Sequence, residues 1–170
     1  MAILIALIFL GNNCLAKTPN DLSFKPTVDL VLKSLLDRDM ENLNAHVDVG
    51  AIVKSKIKKY SSKAQSKGIL MKSAGKFINF SEPMITGSIV KLTLSEYSKS
   101  SYELRKAYID NISVKKIGNM NQIAYASGVF LRKPFFASAL KVNGKWVINS
   151  IESEWIDIEI KNALRAMHVI

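Results

Sequence analysis

Apolar and polar residues alternate along this chain with two different periods, and the change between them divides the chain in two. From Pro26 onward the apolar positions recur at three- and four-residue intervals, as in a helix that buries one stripe. After a serine-rich connection at 98–101 the period shortens towards two, as in a strand that buries one face. The pattern therefore predicts helices first and a sheet afterwards.

Capping residues predict where the helices begin. Pro26 suits the first turn of the first helix, where its missing N–H has no partner to lose. Asp39 is the N-cap candidate for a short second helix, and Asp48 for a long third one. We expect Gly68 to interrupt the third helix, and a Ser-Glu-Pro sequence to open another helix over 84–97.

Turn signals divide the C-terminal part into short strands. We expect four of them, over 108–117, 122–132, 135–142 and 145–151. Gly118-Asn119 is expected to form a turn, and Lys133-Pro134 a tight corner or bulge. Asn143-Gly144 predicts a hairpin, since a type I′ turn needs positive φ at both central residues. Connections this short imply an antiparallel meander.

The hairpin leaves the buried face of the sheet undecided. Trp146 provides one large apolar side chain that can anchor a core. A strict two-residue turn, however, places Lys141 on the same face as Trp146, and Val142 on the same face as Lys145. Each face then carries both apolar and charged residues, and only a longer loop or a bulge would place the two kinds of residue on separate faces.

The whole pattern predicts an α+β fold, with N-terminal helices packed on one face of a curved four-stranded antiparallel sheet. A short closing helix follows from Trp155, with a strand around Ile158 as the alternative. Since 170 residues suffice for one domain with a sizeable core, we assign a single domain to 26–170. A signal peptide is expected at 1–16 and a linker at 17–25.

The first residues have the pattern of a secretory signal peptide. Met1–Leu10 is apolar, and small residues at the −3 and −1 positions predict cleavage after Ala16, although no Lys or Arg precedes the apolar run. An uncleaved anchor and a lipoprotein based on Cys14 are the alternatives, but ten apolar residues fall short of the ~20 that a spanning helix needs. We expect export to the periplasm or beyond. Cleavage would remove the single cysteine.

Charge is distributed unevenly. The net charge is +10, and the segment between Asp48 and Glu82 contains eight lysines and no acid. The lysines on its helix predict a surface that attracts anionic lipid or another polyanion through loose, non-directional charge interactions. The residues assigned to that surface are Lys54, Lys58, Lys59, Lys63 and Lys67. Few aromatic residues accompany them, which argues against nucleic acid as the partner. The alternative is an ordinary solvated helix face.

The stretch Pro26–Asp48 ends in an Asp-x-x-x-Leu sequence, Asp39 to Leu43, followed by the pair Val47-Asp48. It resembles a domain-of-unknown-function family of exported bacterial proteins. The order of elements is similar to the nuclear-transport-factor-2-like, or cystatin-like, cone fold, and the strand at 144–148 resembles its closing strand. The family usually has an arginine soon after the Val-Asp pair, where this chain has lysines. The resemblance implies a fold and no known activity.

Some cone-fold proteins use a tyrosine and an aspartate for proton transfer in an apolar cavity, which makes Tyr108, Asp110 and Tyr125 candidate catalytic residues. Tyr108 and Asp110 share strand parity and would face the same side. The alternative is a core tyrosine with a solvent-facing aspartate. His46 and Asp48 are better explained as a surface histidine beside a helix cap. With two histidines and one cysteine, we expect neither a metal site nor a cofactor.

Three functions remain open on the sequence alone. The first is an exported, non-enzymatic protein that binds an apolar ligand or an envelope component. The second is a small isomerase or dehydratase that uses Asp110 with a tyrosine as its acid–base groups. The third is an adaptor whose lysine-rich helix docks on an anionic membrane.

Overall fold

The structure is a computed structural model that describes residues 23–65, 78, 80–120 and 122–167. Its elements are α1 (Lys25–Asp37), α2 (Met40–His46), α3 (Val49–Gln65), α4 (Glu82–Lys99), α5 (Tyr102–Asp110), β1 (Ile112–Met120), β2 (Ile123–Phe130), β3 (Lys133–Val142), β4 (Lys145–Ser153) and α6 (Glu154–Ala166). Helices precede a four-stranded antiparallel sheet, and a short helix closes the chain. The α+β fold class is therefore confirmed. The predicted signal peptide and the break at Gly68 lie outside the described residues.

Carboxylate caps begin the second and third helices as predicted. Asp39 accepts a hydrogen bond from the Asn42 N–H at 3.1 Å, and Asp48 accepts one from the Ala51 N–H at 2.7 Å. Helix α1 begins one residue earlier than expected. Phe24, which the sequence places in the linker, is fully buried and meets the Trp146 ring edge-on at 5.7 Å. The end of the expected linker thus belongs to the folded domain.

Helix α5 includes residues 108–110, which the alternating pattern assigned to the first strand. The predicted start of that strand was therefore wrong, whereas 112–117 belong to β1 as expected. The Ser101 side chain caps the helix by accepting from the Leu104 N–H at 3.2 Å. Arg105 is buried, and its guanidinium donates to the carbonyls of Leu36 at 2.9 Å and Ser100 at 2.5 Å. Those carbonyls lie at the C-terminal ends of α1 and α4, where helices leave acceptors without a partner. A buried arginine gives no apolar periodicity, which is why the sequence pattern missed this helix.

The strands form a meander in the order β1-β2-β3-β4, as predicted. The hairpin at Asn143-Gly144 is confirmed, with φ of 50° and 80° at its two central residues. The preceding turn lies at Leu131-Arg132, both also at positive φ, so Lys133-Pro134 begins β3 and forms no corner.

A bulge in β4 resolves which face is buried. Ser138 pairs with Ser150, whereas Ala139 pairs with Ile148, so Asn149 is an extra residue between two pairs. Before the bulge Trp146 and Ile148 are buried; after it the buried positions change parity. The two-residue turn is therefore compatible with one buried and one exposed face, because the bulge further along β4 keeps its apolar residues on the buried face.

One face of the sheet forms the core with the helices. Ala124 and Ala126 of β2, and Ala137 and Ala139 of β3, are fully buried on this face, in one apolar cluster with helical side chains such as Leu35 of α1. We call it the core face. The other face carries the side chains between these positions, and no helix of the described residues buries them to the same degree.

Candidate functional site

Lys56 is a buried cation, unlike the solvent-facing lysines that the helix pattern suggests. It follows Ile52 and Val53 by four and three residues, so it shares their stripe, and its side chain is only 1% exposed. Its Nζ lies 2.8 Å from Glu152 Oε2 and 2.9 Å from Asp157 Oδ1. A buried ammonium requires such partners, because its desolvation is otherwise too costly.

Lys59 completes this network of two cations and two carboxylates. Its Nζ lies 2.8 Å from Glu152 and 3.5 Å from Asp157. Burial raises the pKa of the Glu152 carboxyl, but the hydrogen bonds and charges of Lys56 and Lys59 outweigh burial and hold that pKa below its ordinary value. The hydrogen bond to Glu152 in turn raises the pKa of Lys59. The network is electrically balanced and joins α3 to β4 and α6.

The lysines assigned to a polyanion surface are consequently not equivalent. Lys54 lies 3.6 Å from Glu82, and Lys59 belongs to the network just described, so both face acids of this chain. Lys58 is exposed. The side chain of Lys63 and the whole of Lys67 lie outside the described residues. Tertiary contacts thus compensate much of the charge that the sequence concentrates on this helix.

The proposed acid–base residues are not gathered around one described pocket. Asp110, on α5, is mostly exposed, forms an ion pair with Lys106 at 2.6 Å and lines a shallow open groove beside α1. Tyr108 lies on the same helix and packs against Phe130, with 6.3 Å between ring centroids. Tyr125 is on β2, on the face opposite the core. The shared strand parity expected of Tyr108 and Asp110 was wrong, because both are helical.

His46 and Asp48 have structural contacts at the free edge of the sheet. The His46 Nδ1 lies 2.9 Å from the Trp146 carbonyl oxygen, so this nitrogen is the donor. The Asp48 N–H donates to the Ile148 carbonyl at 2.8 Å, and Val47 forms a parallel bridge with Ile148. The segment between α2 and α3 therefore covers part of the edge of β4, and the cap assignment of Asp48 is confirmed.

The face opposite the core exposes an apolar surface. Its members lie on β2, β3 and β4 and are Ile123, Tyr125, Phe136, Leu140, Val142 and Val147; we call this set the open face. Ile123 pairs with Leu140, and Leu140 with Val147, so three apolar side chains cross the sheet in one row. Ile123 is 51% exposed, Leu140 41% and Val142 49%. A contiguous exposed apolar surface is typical of an interaction site.

An aromatic pair extends this row along the sheet. The Tyr125 and Phe136 rings stack with centroids 5.9 Å apart and an interplanar angle of 15°. Tyr125 lies across its neighbour Gly118, where an added Cβ would come within 2.2 Å of the ring. Gly118 is therefore in a strand, contrary to the predicted turn, because only glycine leaves room for the tyrosine. The Lys116 ammonium lies 5.9 Å from the centre of the same ring.

The sheet carries several cations and one acid, Glu152, near the end of β4. Between Asp110 and Glu152 the chain has no Asp or Glu, and its six cations are Lys115, Lys116, Arg132, Lys133, Lys141 and Lys145. Lys133 pairs with Glu154 at 2.9 Å. For Lys116, Lys141 and Lys145, no carboxylate of a described residue lies within ion-pairing distance. Two of these three lysines, Lys116 and Lys145, lie on the open face.

Two further findings concern the described residues only. Their His, Cys, Asp and Glu side chains form no group of three that can hold a metal ion. None of their helices is both long and apolar enough to span a bilayer.

Comparisons with protein-family models, with curated proteins and with solved structures give no match for this chain. The side chains and their geometry are therefore the basis for inferring function.

Proposed function

We propose that this protein is an exported, non-enzymatic binding protein whose open face holds an apolar partner. The observation that carries the proposal is the row Ile123–Leu140–Val147 with its neighbour Val142, apolar side chains left in contact with water on a paired, regular sheet. Releasing water from such a surface favours association. The signal-like sequence at 1–16 supports export, and balanced ion pairs account for the most buried lysine without invoking catalysis.

The test is binding of an apolar fluorescent probe, bis-ANS, to the full chain and to two variants. Ile123→Thr combined with Leu140→Thr keeps β-branched or strand-compatible side chains but removes much of the apolar surface. Ile158→Gln removes a single exposed apolar side chain from α6 and is the matched control. We expect the open-face variant to lose most of the bound probe and the control to bind like the parent protein.

Equal binding by all three proteins would exclude the open face as the binding surface. Absence of binding by the parent protein would contradict an apolar partner altogether.

A further inference from the structure

We infer that the partner of the open face is the surface of an anionic lipid bilayer, which the protein meets with the hairpin end of its sheet. This inference rests on the proposed function and adds the chemistry of the partner. It moves membrane contact from the lysine-rich helix, where the sequence suggested it, to the opposite side of the sheet.

The two hairpin turns bring apolar side chains to one end of the sheet. Ile123 follows the β1–β2 connection, and Val142 precedes the β3–β4 turn. The Lys141 N–H donates to the Gln122 carbonyl at 3.0 Å, which fixes the two connections side by side. Exposed aliphatic side chains at such an end can enter the boundary between headgroups and acyl chains without any change of fold.

Cations surround this apolar end. Lys145 pairs with Val142 directly across the turn, so it lies on the open face. Lys141 pairs with Trp146 instead, so it lies at the same end of the sheet but on the core side, with its Nζ 5.6 Å from the ring centre. Lys116 lies beside Tyr125 further along the open face. Lysine is a flexible point charge that suits many headgroup phosphates at once, and an anionic membrane attracts each such cation. Apolar side chains and cations on one surface match an anionic bilayer.

A second copy of the chain fits this surface less well. Two copies pairing through their open faces would bring two sets of sheet cations together, and the segment 111–151 contains no acid to compensate them. Single-stranded nucleic acid would use stacking aromatics, but Tyr125 and Phe136 already stack on each other, and the rest of the open face is aliphatic.

The lysine-rich helix is the competing membrane surface, and its contacts count against it. Helix α3 contacts β4 and α4, and Lys54, Lys56 and Lys59 face carboxylates of this chain. A membrane approaching there would have to compete with Glu82, Glu152 and Asp157.

The experiment places an environment-sensitive dye, NBD, at one position of the full chain in a Cys14→Ser background. The reporter variant is Val142→Cys, and the matched control is Lys58→Cys on the exposed side of α3. Because each dye reports its own surroundings, membrane contact by residues 1–22 does not interfere. Vesicles contain phosphatidylcholine alone or with about 30% phosphatidylglycerol, an anionic lipid.

We expect a blue shift and a several-fold rise in emission at position 142 with anionic vesicles only, and no change at position 58. High salt should reverse the shift because it screens the headgroup charge. In parallel, Lys116→Gln with Lys145→Gln should weaken partitioning roughly fivefold per lysine. The control, Lys33→Gln with Lys58→Gln, has the same net charge as the Lys116→Gln, Lys145→Gln variant and should partition like the parent protein.

A shift at position 58 in place of 142 would overturn the inference in favour of the lysine-rich helix. An equal shift at position 142 with neutral vesicles would overturn the role of charge. If neither dye responds while bis-ANS binding still depends on Ile123 and Leu140, the bilayer is excluded and the proposed function stands. Binding of a labelled single-stranded oligonucleotide that is lost in the Lys116→Gln, Lys145→Gln protein would replace the bilayer by nucleic acid.

Discussion

Lys56 shows how strongly one residue's position in a helix governs its role. It belongs to a run of eight lysines, yet among those whose side chains the structure describes it is the one placed on the buried stripe of α3. Its charge persists there because Glu152 and Asp157 lie within 2.9 Å. The spacing from Ile52 and Val53 contains this information. The spacing does not reveal which acids pair with Lys56, because they follow about a hundred residues later.

Replacing Lys56 by methionine tests this network. The variant keeps the length of the side chain but leaves two carboxylates with Lys59 alone. We expect a loss of roughly 3 kcal/mol in the free energy of unfolding, at the low end for a broken buried pair because Glu152 is half exposed. Lys58→Met, on the exposed side of the same helix, should change stability by less than about 0.5 kcal/mol. Urea unfolding measures both, and similar losses would contradict the assignment.

The network also predicts how stability depends on pH. In the folded state the pKa of Glu152 is lowered. Its contribution to stability is therefore complete above the unfolded-state pKa of about 4.3 and is lost as pH falls through the lower folded-state pKa. The pKa of Lys59 is raised, so its contribution is lost only as pH rises beyond about 10.4 towards the folded value.

The difference in free energy of unfolding between the wild-type protein and Glu152→Gln should therefore be largest near neutral pH. The difference should shrink as pH falls below about 4.3, the unfolded-state pKa, and through the lower folded-state pKa. Urea titrations at a series of pH values give the difference directly. A difference that grows on acidification would show that Glu152 is not held in its charged form by the lysines.

Among the elements, β1 depends on the fit between Gly118 and Tyr125. Glycine in a strand normally reduces stability, and the Gly118-Asn119 pair predicts a turn there. The strand continues because the Tyr125 ring fills the space that a side chain at 118 would occupy. A glycine-asparagine pair is thus an ambiguous turn signal wherever an aromatic residue lies on the neighbouring strand.

A double-mutant cycle at these two positions should show coupling. Gly118→Ala alone is expected to destabilise the protein by about 1–3 kcal/mol, because the new Cβ meets the ring. In a Tyr125→Ala background the same change should be neutral or stabilising, by up to about 1 kcal/mol. Gly87→Ala in α4, where no atom would lie within 4 Å of the Cβ, should stabilise both backgrounds equally. Additive effects at 118 and 125 would exclude the proposed contact.

At the scale of the whole molecule, the two faces of the sheet differ in burial and in charge. The core face holds small, aliphatic and aromatic side chains beneath the helices, while the open face retains exposed Ile123, Leu140 and Val142. Several lysines of the helical side are paired with carboxylates, whereas Lys116 and Lys145 on the open face have no carboxylate of a described residue within ion-pairing distance. The fold thus separates a buried, stabilising layer from an exposed apolar surface.

This separation predicts unequal sensitivity to substitution. Ile123→Thr combined with Leu140→Thr should lower the free energy of unfolding by less than about 1 kcal/mol in total, because both side chains are about half exposed already. Ile148→Ala, on the core face of the neighbouring strand, should lower it by about 2–5 kcal/mol. Thermal and urea unfolding check the prediction. Comparable losses would mean that the open face is also part of the core.

The sequence by itself determined that helices precede a four-stranded meander, and it determined the caps at Asp39 and Asp48 and the hairpin at Asn143-Gly144, but not helix α5. These features depend on residues within a few positions of one another, so local periodicity and turn chemistry are sufficient to predict them.

Only the tertiary structure decided which face of the sheet is buried and where charge remains uncompensated. The bulge at Asn149 shifts the buried parity of β4, and no residue type specifies such a bulge. The ion pair between Lys59 and Glu152 joins residues 93 positions apart, a separation that composition cannot span. The lysine-rich helix was therefore the most conspicuous charged segment in the sequence, whereas in the folded chain three of its lysines face acids, because the fold brings Glu82, Glu152 and Asp157 against α3.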